Sequence, residues 1–237
     1  RNKKINYLPK HKHIIEYLKF NNHSSYISVY RNSLDNKCIG VFSTRSINII
    51  LKEDKLEAYY ADNLCIHPKY RKQGIAPQLI QTHYYNNRHY NKNIDVFLFK
   101  REGYITAIVP LINYYTYGFK LDKIYIKNNQ SYYNNLTCIK INKNNLMLLK
   151  AFIKECTINY ECIIIPNIEN LSNLIKTNNL FIYGILKKNK LISCYIFKDS
   201  GILYNKQKSI ECISLLFNNV YDHATFIDGF NISLSKC

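Results

Sequence analysis

The stretch Arg71-Lys72-Gln73-Gly74-Ile75-Ala76 is the part of this chain best composed to hold an anion. Lys69, Arg71 and Lys72 bring positive charge, Gln73 brings a neutral donor, and Gly74 has no side chain to keep a ligand off the backbone. From Gly74 onward Ile75, Leu79 and Ile80 fall at helical spacing, and Pro77 lies within the first turn, where a missing N–H costs nothing. A helix is therefore predicted to start near Gly74. Its first N–H groups lack partners and carry a partial positive charge, so the turn suits a phosphate or pyrophosphate. The plainer alternative is a strand-to-helix connection with a solvated charge run.

Positioning such a cradle requires a strand before it and a helix after it. Residues 56–66 are rich in β-branched and aromatic residues and predict a half-buried strand, which His67-Pro68 ends because proline cannot donate to a ladder. Residues 74–87 predict the helix and 94–99 a short strand, together a β-α-β unit.

The turn fits the Arg/Gln-x-x-Gly-x-Ala/Gly pattern with which the GNAT acyltransferases hold the pyrophosphate of an acyl-coenzyme A. A longer run, Asp62-Asn63-Leu64-Cys65-Ile66-His67 followed by the basic turn and Ala76-Pro77-Gln78-Leu79-Ile80, resembles the core of N-myristoyltransferase, which reads Asn-Phe-Leu-Cys-Val-His, a basic loop, then Ala-Pro-Val-Leu-Ile. Upstream, Gly40-Val41-Phe42-Ser43-Thr44-Arg45-Ser46-Ile47-Asn48-Ile49 is similar to that family's Gly-Phe-Ile-Ser-Ala-Ile-Pro-Ala-Asn-Ile. The resemblance covers residues 38–83.

The resemblance implies an α/β (α+β) GNAT-like acyl-CoA N-acyltransferase fold, with two pseudo-repeated halves around a mostly antiparallel sheet. It implies that the backbone N–H groups of Asn63 and Leu64 form an oxyanion hole, and that Cys65, Ile66, Arg71, Lys72, Gln73, Gly74, Ile75, Ala76 and Pro77 bind the coenzyme. Myristoyl-CoA would be the co-substrate, and a protein or peptide with an N-terminal glycine the acceptor. On the acceptor side the chain departs from the family. Lys100-Arg101-Glu102-Gly103 stands where a Thr-Ala-Gly motif is expected, and Tyr114-Tyr115-Thr116-Tyr117 replaces Tyr-Trp-His-Arg, leaving Tyr114 and Tyr115 as the expected substrate contacts. The family uses a C-terminal carboxylate as base, a role that would fall here to Cys237. Glu102 and Asp228 are candidate side-chain bases, weighed against the plainer reading of solvated surface carboxylates. His67 and His83 flank the motif, where a histidine more often serves structure than catalysis.

The chain of 237 residues, with 47% hydrophobic residues, is long enough for a substantial core. It has no apolar run near a membrane-spanning length, so a cytoplasmic protein is expected, in the host cytoplasm if the source is viral. The eight cysteines form no C-x-x-C pair and read as reduced core residues, and no metal site is predicted. A net charge of +17 invites a nucleic-acid reading, but the lysines are scattered among Asn and Tyr and no recognisable module is present. No specific nucleic acid is expected; the positive field would still attract the phosphates of an acyl-CoA. A monomer is expected.

Elsewhere, residues 9–20 predict a helix, and 26–30, 38–42 and 47–51 predict separate strands. The Asn-rich stretch 128–146 places the junction between an acyl-CoA-binding half, residues 1–127, and an acceptor half, residues 128–237. Helices are predicted at 141–154 and 168–176, a hairpin at 181–186 and 191–197, a helix near 209–220 and a strand near 225–227. Two other functions fit the same residues: a GNAT N-acetyltransferase using acetyl-CoA, and a catalytically decayed acyl-CoA-binding protein.

Overall fold

A computed structural model of the chain describes residues 5–101, 109–121, 136–218 and 223–237. Two mostly antiparallel five-stranded sheets form its framework. The first follows the order β2 (Tyr26–Arg31), β3 (Cys38–Leu51), β4 (Asp54–Ile66), β5 (Val96–Phe99), with β7 (Cys162–Ile165) added along β3. The second follows β1 (Ile5–Tyr7), β9 (Lys190–Tyr204), β8 (Leu180–Lys187), β6 (Leu136–Lys140), with β10 (Gln207–Phe217) also on β9. Each sheet thus contains a strand from the far part of the chain.

Alternation along the strands decides what covers each face. In the first sheet Phe42 and Thr44 point to helix α2 (Ile75–Tyr90), whose buried Ile75, Leu79, His83 and Asn87 recur at helical spacing. Ile47, Ile49 and Ala58 face the other way, toward Tyr60 and Leu98. The second sheet is covered on both faces, so its strands read as continuous apolar runs. Ile182, Cys194 and Ile196 pack under α3 (Leu146–Cys156) and α4 (Ile168–Lys176). Tyr183, Ile185, Tyr195 and Phe197 pack under α5 (His223–Leu234). Helix α1 (Lys12–Leu18) bridges the sheets, with Asn170 of α4 donating to the carbonyls of Glu16 and Lys19.

The strand, turn and helix predicted around residues 56–87 are present with nearly the expected bounds. Three expectations need correction. Residues 38–51 form one continuous strand rather than two, because β3 is paired along most of its length by β4 and at its ends by β2 and β7. The Asn-rich stretch holds β6, and the helix after it begins at Leu146, since residues 141–145 turn back on their own Asn side chains.

The largest correction concerns the last thirty or so residues, roughly a strand's and a helix's length at usual rises per residue. Residues 207–217 are a strand, not a helix, and the strand expected near 225–227 is inside α5. Asn205 and Lys206 both have positive φ (51° and 68°), the turn geometry that folds β10 straight back onto β9. Among the described residues the hairpin of β8 and β9 is therefore followed by a strand and then a helix, not by the expected helix and then strand. The cysteines also differ from expectation: Cys156 and Cys194 are buried, whereas Cys38, Cys65, Cys162, Cys212 and Cys237 are exposed.

Among the described residues no helix is long and apolar enough to cross a membrane, and no cluster of His, Cys, Asp and Glu is arranged to hold a metal.

Candidate acyl-coenzyme A site

The register of β4 contains one irregularity, and it falls in the motif. Val41 pairs with Cys65 and Ser43 with Asp62, so Phe42 alone faces the two residues Asn63 and Leu64. This is a β-bulge, and Asn63 absorbs it with a φ of 53°, a left-handed conformation that asparagine tolerates better than most residues. A bulge takes backbone N–H groups out of the ladder, which is the geometry a main-chain oxyanion hole requires. Side chains hold it in place: Asn63 Nδ2 donates to Ser43 Oγ at 3.0 Å, and that hydroxyl donates to the Asp62 carbonyl at 3.2 Å.

On its other edge β4 pairs in parallel with β5 only from Ala58 to Ala61, opposite Val96 to Phe99. Residues 62–66 continue beyond that pairing, and the two parallel strands part just at the bulge. Cys65 is exposed and Ile66 half-buried on the last part of the strand.

The turn after β4 is bonded to itself and keeps its charges outward. His67 accepts from the Lys69 N–H, Arg71 Nε donates to the Ile66 carbonyl at 3.0 Å, and Gln73 Nε2 donates to the Lys69 carbonyl at 3.3 Å. Lys69, Arg71, Lys72, Gln73 and Gly74 are all exposed. Gly74 stands at the head of α2 with φ 73°, and no atom lies within 4 Å of where a Cβ would stand. Its glycine is thus required twice, by the left-handed backbone and by the open approach. No side chain caps α2 and no acidic residue occupies its first turn, so the N-terminal N–H groups stay open to an anion. Ile75 anchors the turn by its burial, Ala76 is half-buried, and Pro77 is exposed.

Beside the bulge a cluster of polar and aromatic side chains from α1 and both sheets comes together, which the sequence did not reveal. Ser43 pairs with Asp62 and Arg45 with Tyr60, which puts these side chains on the face of the first sheet opposite α2. Arg45 Nε lies 3.7 Å from Asp62 Oδ2, and its guanidinium stands over the rings of Tyr60 (5.0 Å) and Tyr17 of α1 (6.0 Å). Lys198 of β9 covers Tyr17 from the second sheet at 4.9 Å. Partial burial pushes the Asp62 carboxyl up, against the pull of Arg45 and Lys198. Lys100 pairs with Glu211 of β10 at 3.2 Å and stands 5.3 Å over the Tyr114 ring. Only Asp62, a carboxylate next to the expected oxyanion hole, could have been singled out from the sequence; its partners could not.

The remaining predicted residues lie as follows. Tyr114 and Tyr115 belong to an irregular segment and are 56% and 86% exposed, with Tyr114 near the cluster through Lys100. Cys237 follows α5, where its thiol donates to the Ser233 carbonyl and the neighbouring Lys236 carbonyl accepts from Tyr183 Oη. Among the described residues no hydrogen bond or ion pair joins Cys237 to residues 62–77. Asp228 is half-buried on α5, and Glu102 lies outside the described residues. His83 is 1% exposed; its ring nitrogens meet Ser28 Oγ at 2.7 Å and Thr44 Oγ1 at 2.9 Å, a structural arrangement.

No protein-family model matches the chain, and no curated protein matches it in sequence. Among solved structures it is similar to Saccharomyces cerevisiae N-myristoyltransferase with bound myristoyl-CoA and inhibitors, with TM-score 0.67 and 13% identity, covering 100% of this chain and 65% of that one. A structure of the same yeast enzyme with bound myristoyl-CoA gives TM-score 0.64 and 12% identity, covering 100% of this chain and 64% of that one. Another gives 0.57 and 14%, covering 86% and 60%. The chain therefore spans less than two thirds of the length of the structures it matches. At such identities the likeness is one of fold: the chain has the mixed α/β fold seen in the structures of yeast N-myristoyltransferase.

Proposed function

We propose that the chain is an acyl-coenzyme A-dependent N-acyltransferase that transfers a myristoyl group from myristoyl-CoA to the N-terminal glycine of a protein. One observation carries this reading: the bulge at Asn63 and Leu64 and the open N-terminus of α2 are joined directly by residues 65–74, the end of β4 and the basic turn, within a fold matched by structures holding myristoyl-CoA. An acyl-transfer site needs those two features together. One stabilises the charge that develops on the thioester oxygen, and the other fixes the phosphates of the leaving group.

In this reading the N–H groups of the α2 N-terminus, with Arg71, Lys72 and Gln73, bind the pyrophosphate. Gly74, Ile75, Ala76 and Pro77 give it room and direction. Cys65 and Ile66 line the path back to the bulge, where the Asn63 and Leu64 N–H groups receive the thioester oxygen. Elsewhere a lost oxyanion donor slows catalysis by about 100-fold or more. Tyr114 and Tyr115 meet the acceptor peptide, whose side of the site includes the second half, residues 128–237.

The cradle meets only the phosphates of the coenzyme, so it would serve a short acyl group equally well. Acetyl transfer is therefore the competing reading, and a binding protein without turnover is the third. Calorimetric titration with myristoyl-CoA and, separately, acetyl-CoA tests them. Binding of the myristoyl form at least tenfold tighter is expected. Equal affinity favours acetyl transfer, and no binding of either removes the acyl-transfer reading altogether. Release of free thiol on adding a glycine-led peptide separates an enzyme from a binding protein.

A further inference from the structure

We propose that the Asp62 carboxylate receives the acceptor amine in its ammonium form and takes its proton before acyl transfer. The inference rests on the acyl-transfer reading above and names a base within the side-chain cluster beside the bulge.

Position is the first argument. Asp62 is the residue before the bulge, about 3.8 Å from Asn63 between Cα atoms, and its carbonyl is fixed by the Ser43 hydroxyl. Its side chain shares a face with Tyr60 and Arg45, toward α1 and the second sheet, whereas α2 covers the opposite face. An amine that approaches from the side away from α2 would therefore meet this carboxylate beside the expected oxyanion hole. Cys237, by contrast, is bonded to Ser233 of α5, beside a Lys236 carbonyl that accepts from Tyr183 of β8.

The surroundings are the second argument. The titratable and charged groups near enough to act on Asp62 electrostatically are Tyr7 from β1, Tyr17 from α1, Arg45 from β3, Tyr60 from its own strand and Lys198 from β9. Three of these are aromatic, and Arg45 stands over two of them, Tyr17 and Tyr60. Arg45 Nε is 3.7 Å from Oδ2, outside hydrogen-bond range, and the Asp62 side chain is 41% exposed, so the carboxylate retains room for an arriving ammonium. Tyr17 Oη is buried with no hydrogen-bond partner among the described residues, a polar atom left over in the same cluster. Partial burial raises the Asp62 carboxyl, which makes it a stronger base than a free aspartate while it is still ionised.

The proton and electron movements balance. One ammonium proton passes to Asp62, and the freed lone pair forms a C–N bond to the thioester carbonyl carbon. The carbonyl oxygen takes the charge until the C–S bond breaks. The thiolate leaves with the second nitrogen proton, giving the amide and free coenzyme A, and Asp62 returns its proton to solvent.

The test uses the full chain, a glycine-led octapeptide and its N-acetylated counterpart, each titrated in the presence of a non-transferable thioether analogue of myristoyl-CoA. The free-amine peptide is expected to bind at least tenfold tighter than the acetylated one, with the difference lost in Asp62→Asn and kept in Asp62→Glu. In thiol-release assays with myristoyl-CoA, Asp62→Asn is expected to lower kcat by about 100-fold and to remove the acid limb of the pH profile, while coenzyme affinity stays unchanged. Asp62→Glu keeps that limb. Equal binding of the two peptides to the wild type, or an unchanged pH profile in Asp62→Asn, overturns the role of Asp62 and leaves the acyl-transfer reading standing. Failure of wild type to bind the coenzyme analogue defeats both. Thermal unfolding of each variant identifies any loss that comes from misfolding, and the Asp62→Glu result then decides.

Discussion

Asn63 Nδ2 donates to Ser43 Oγ at 3.0 Å, so the bulge in β4 is buttressed by a side chain from the neighbouring strand. Ser43 is 1% exposed and also donates to the Asp62 carbonyl. Ser43→Ala removes both bonds at once. It is expected to lower stability by about 1–2 kcal/mol and to slow acyl transfer while leaving coenzyme affinity intact, because the phosphate cradle lies beyond the bulge. Urea unfolding and a comparison of kcat with the coenzyme Kd check this split. A fall in coenzyme affinity equal to the fall in kcat would contradict it.

Gly74 combines a left-handed backbone with open space. Gly74→Ala is expected to cost about 1 kcal/mol of stability from the φ alone, with little steric conflict, since nothing lies within 4 Å of the new Cβ. Gly74→Glu adds a negative charge where the pyrophosphate is proposed and should weaken myristoyl-CoA binding by more than 100-fold. Unchanged affinity of the Glu variant in calorimetry would refute the cradle.

His83 is buried neutral between Ser28 and Thr44, and burial pushes it down to about 4 from its ordinary 6.5. The unfolded chain therefore binds a proton at His83 between pH 6.5 and about 4 that the folded chain does not. Stability from this group is fully present above about 6.5 and declines as pH falls through that window, by about 3 kcal/mol at its lower end. Urea midpoints of wild type and His83→Gln at pH 7.5, 5.5 and about 4.5 should converge as the pH falls. Parallel curves would show that His83 is not the group responsible.

Gly229 lets α5 approach β9 closely. A Cβ there would stand 2.5 Å from Tyr195 Oη and 2.9 Å from Ile185 Cγ1, while Tyr195 Oη donates to the Phe226 carbonyl at 2.6 Å. Gly229→Ala should destabilise the protein by about 1–3 kcal/mol through overpacking. In a Tyr195→Phe background the added penalty should be smaller, since the nearest conflicting atom is gone. A double-mutant cycle reads the coupling directly, and strict additivity would show that Tyr195 Oη is not the obstacle.

What could be read from residues alone was local. The strand, basic turn and helix from β4 to α2 announce themselves through proline, glycine and helical spacing within one short stretch, and the structure builds them there. Resemblance singled out the backbone of Asn63 and Leu64, but not the bulge there, which is carried by Asn63, a residue that tolerates positive φ. The Asp62, Arg45, Tyr17 and Lys198 cluster was not legible, because its members come from four elements brought together only by packing. The exchange of strand and helix in β10 and α5 has a similar origin. Residues 209–217 carry an apolar pattern that fits either state, and the Asn205-Lys206 turn against the waiting edge of β9 selects the strand.

The reciprocal placement of β1 and β7 bears on how the chain comes together during synthesis. The first sheet lacks the strand at Cys162–Ile165 until that segment has left the ribosome, although β2 through β5 are made much earlier. Tyr7 and its neighbours, made long before β9, wait for Ile202 to Tyr204 before they have a partner. Such distant pairings defer the loop-closure return and slow folding. Neither sheet is complete without the other's segment, so fragments cut between them would each expose an unpaired edge and invite association rather than fold alone.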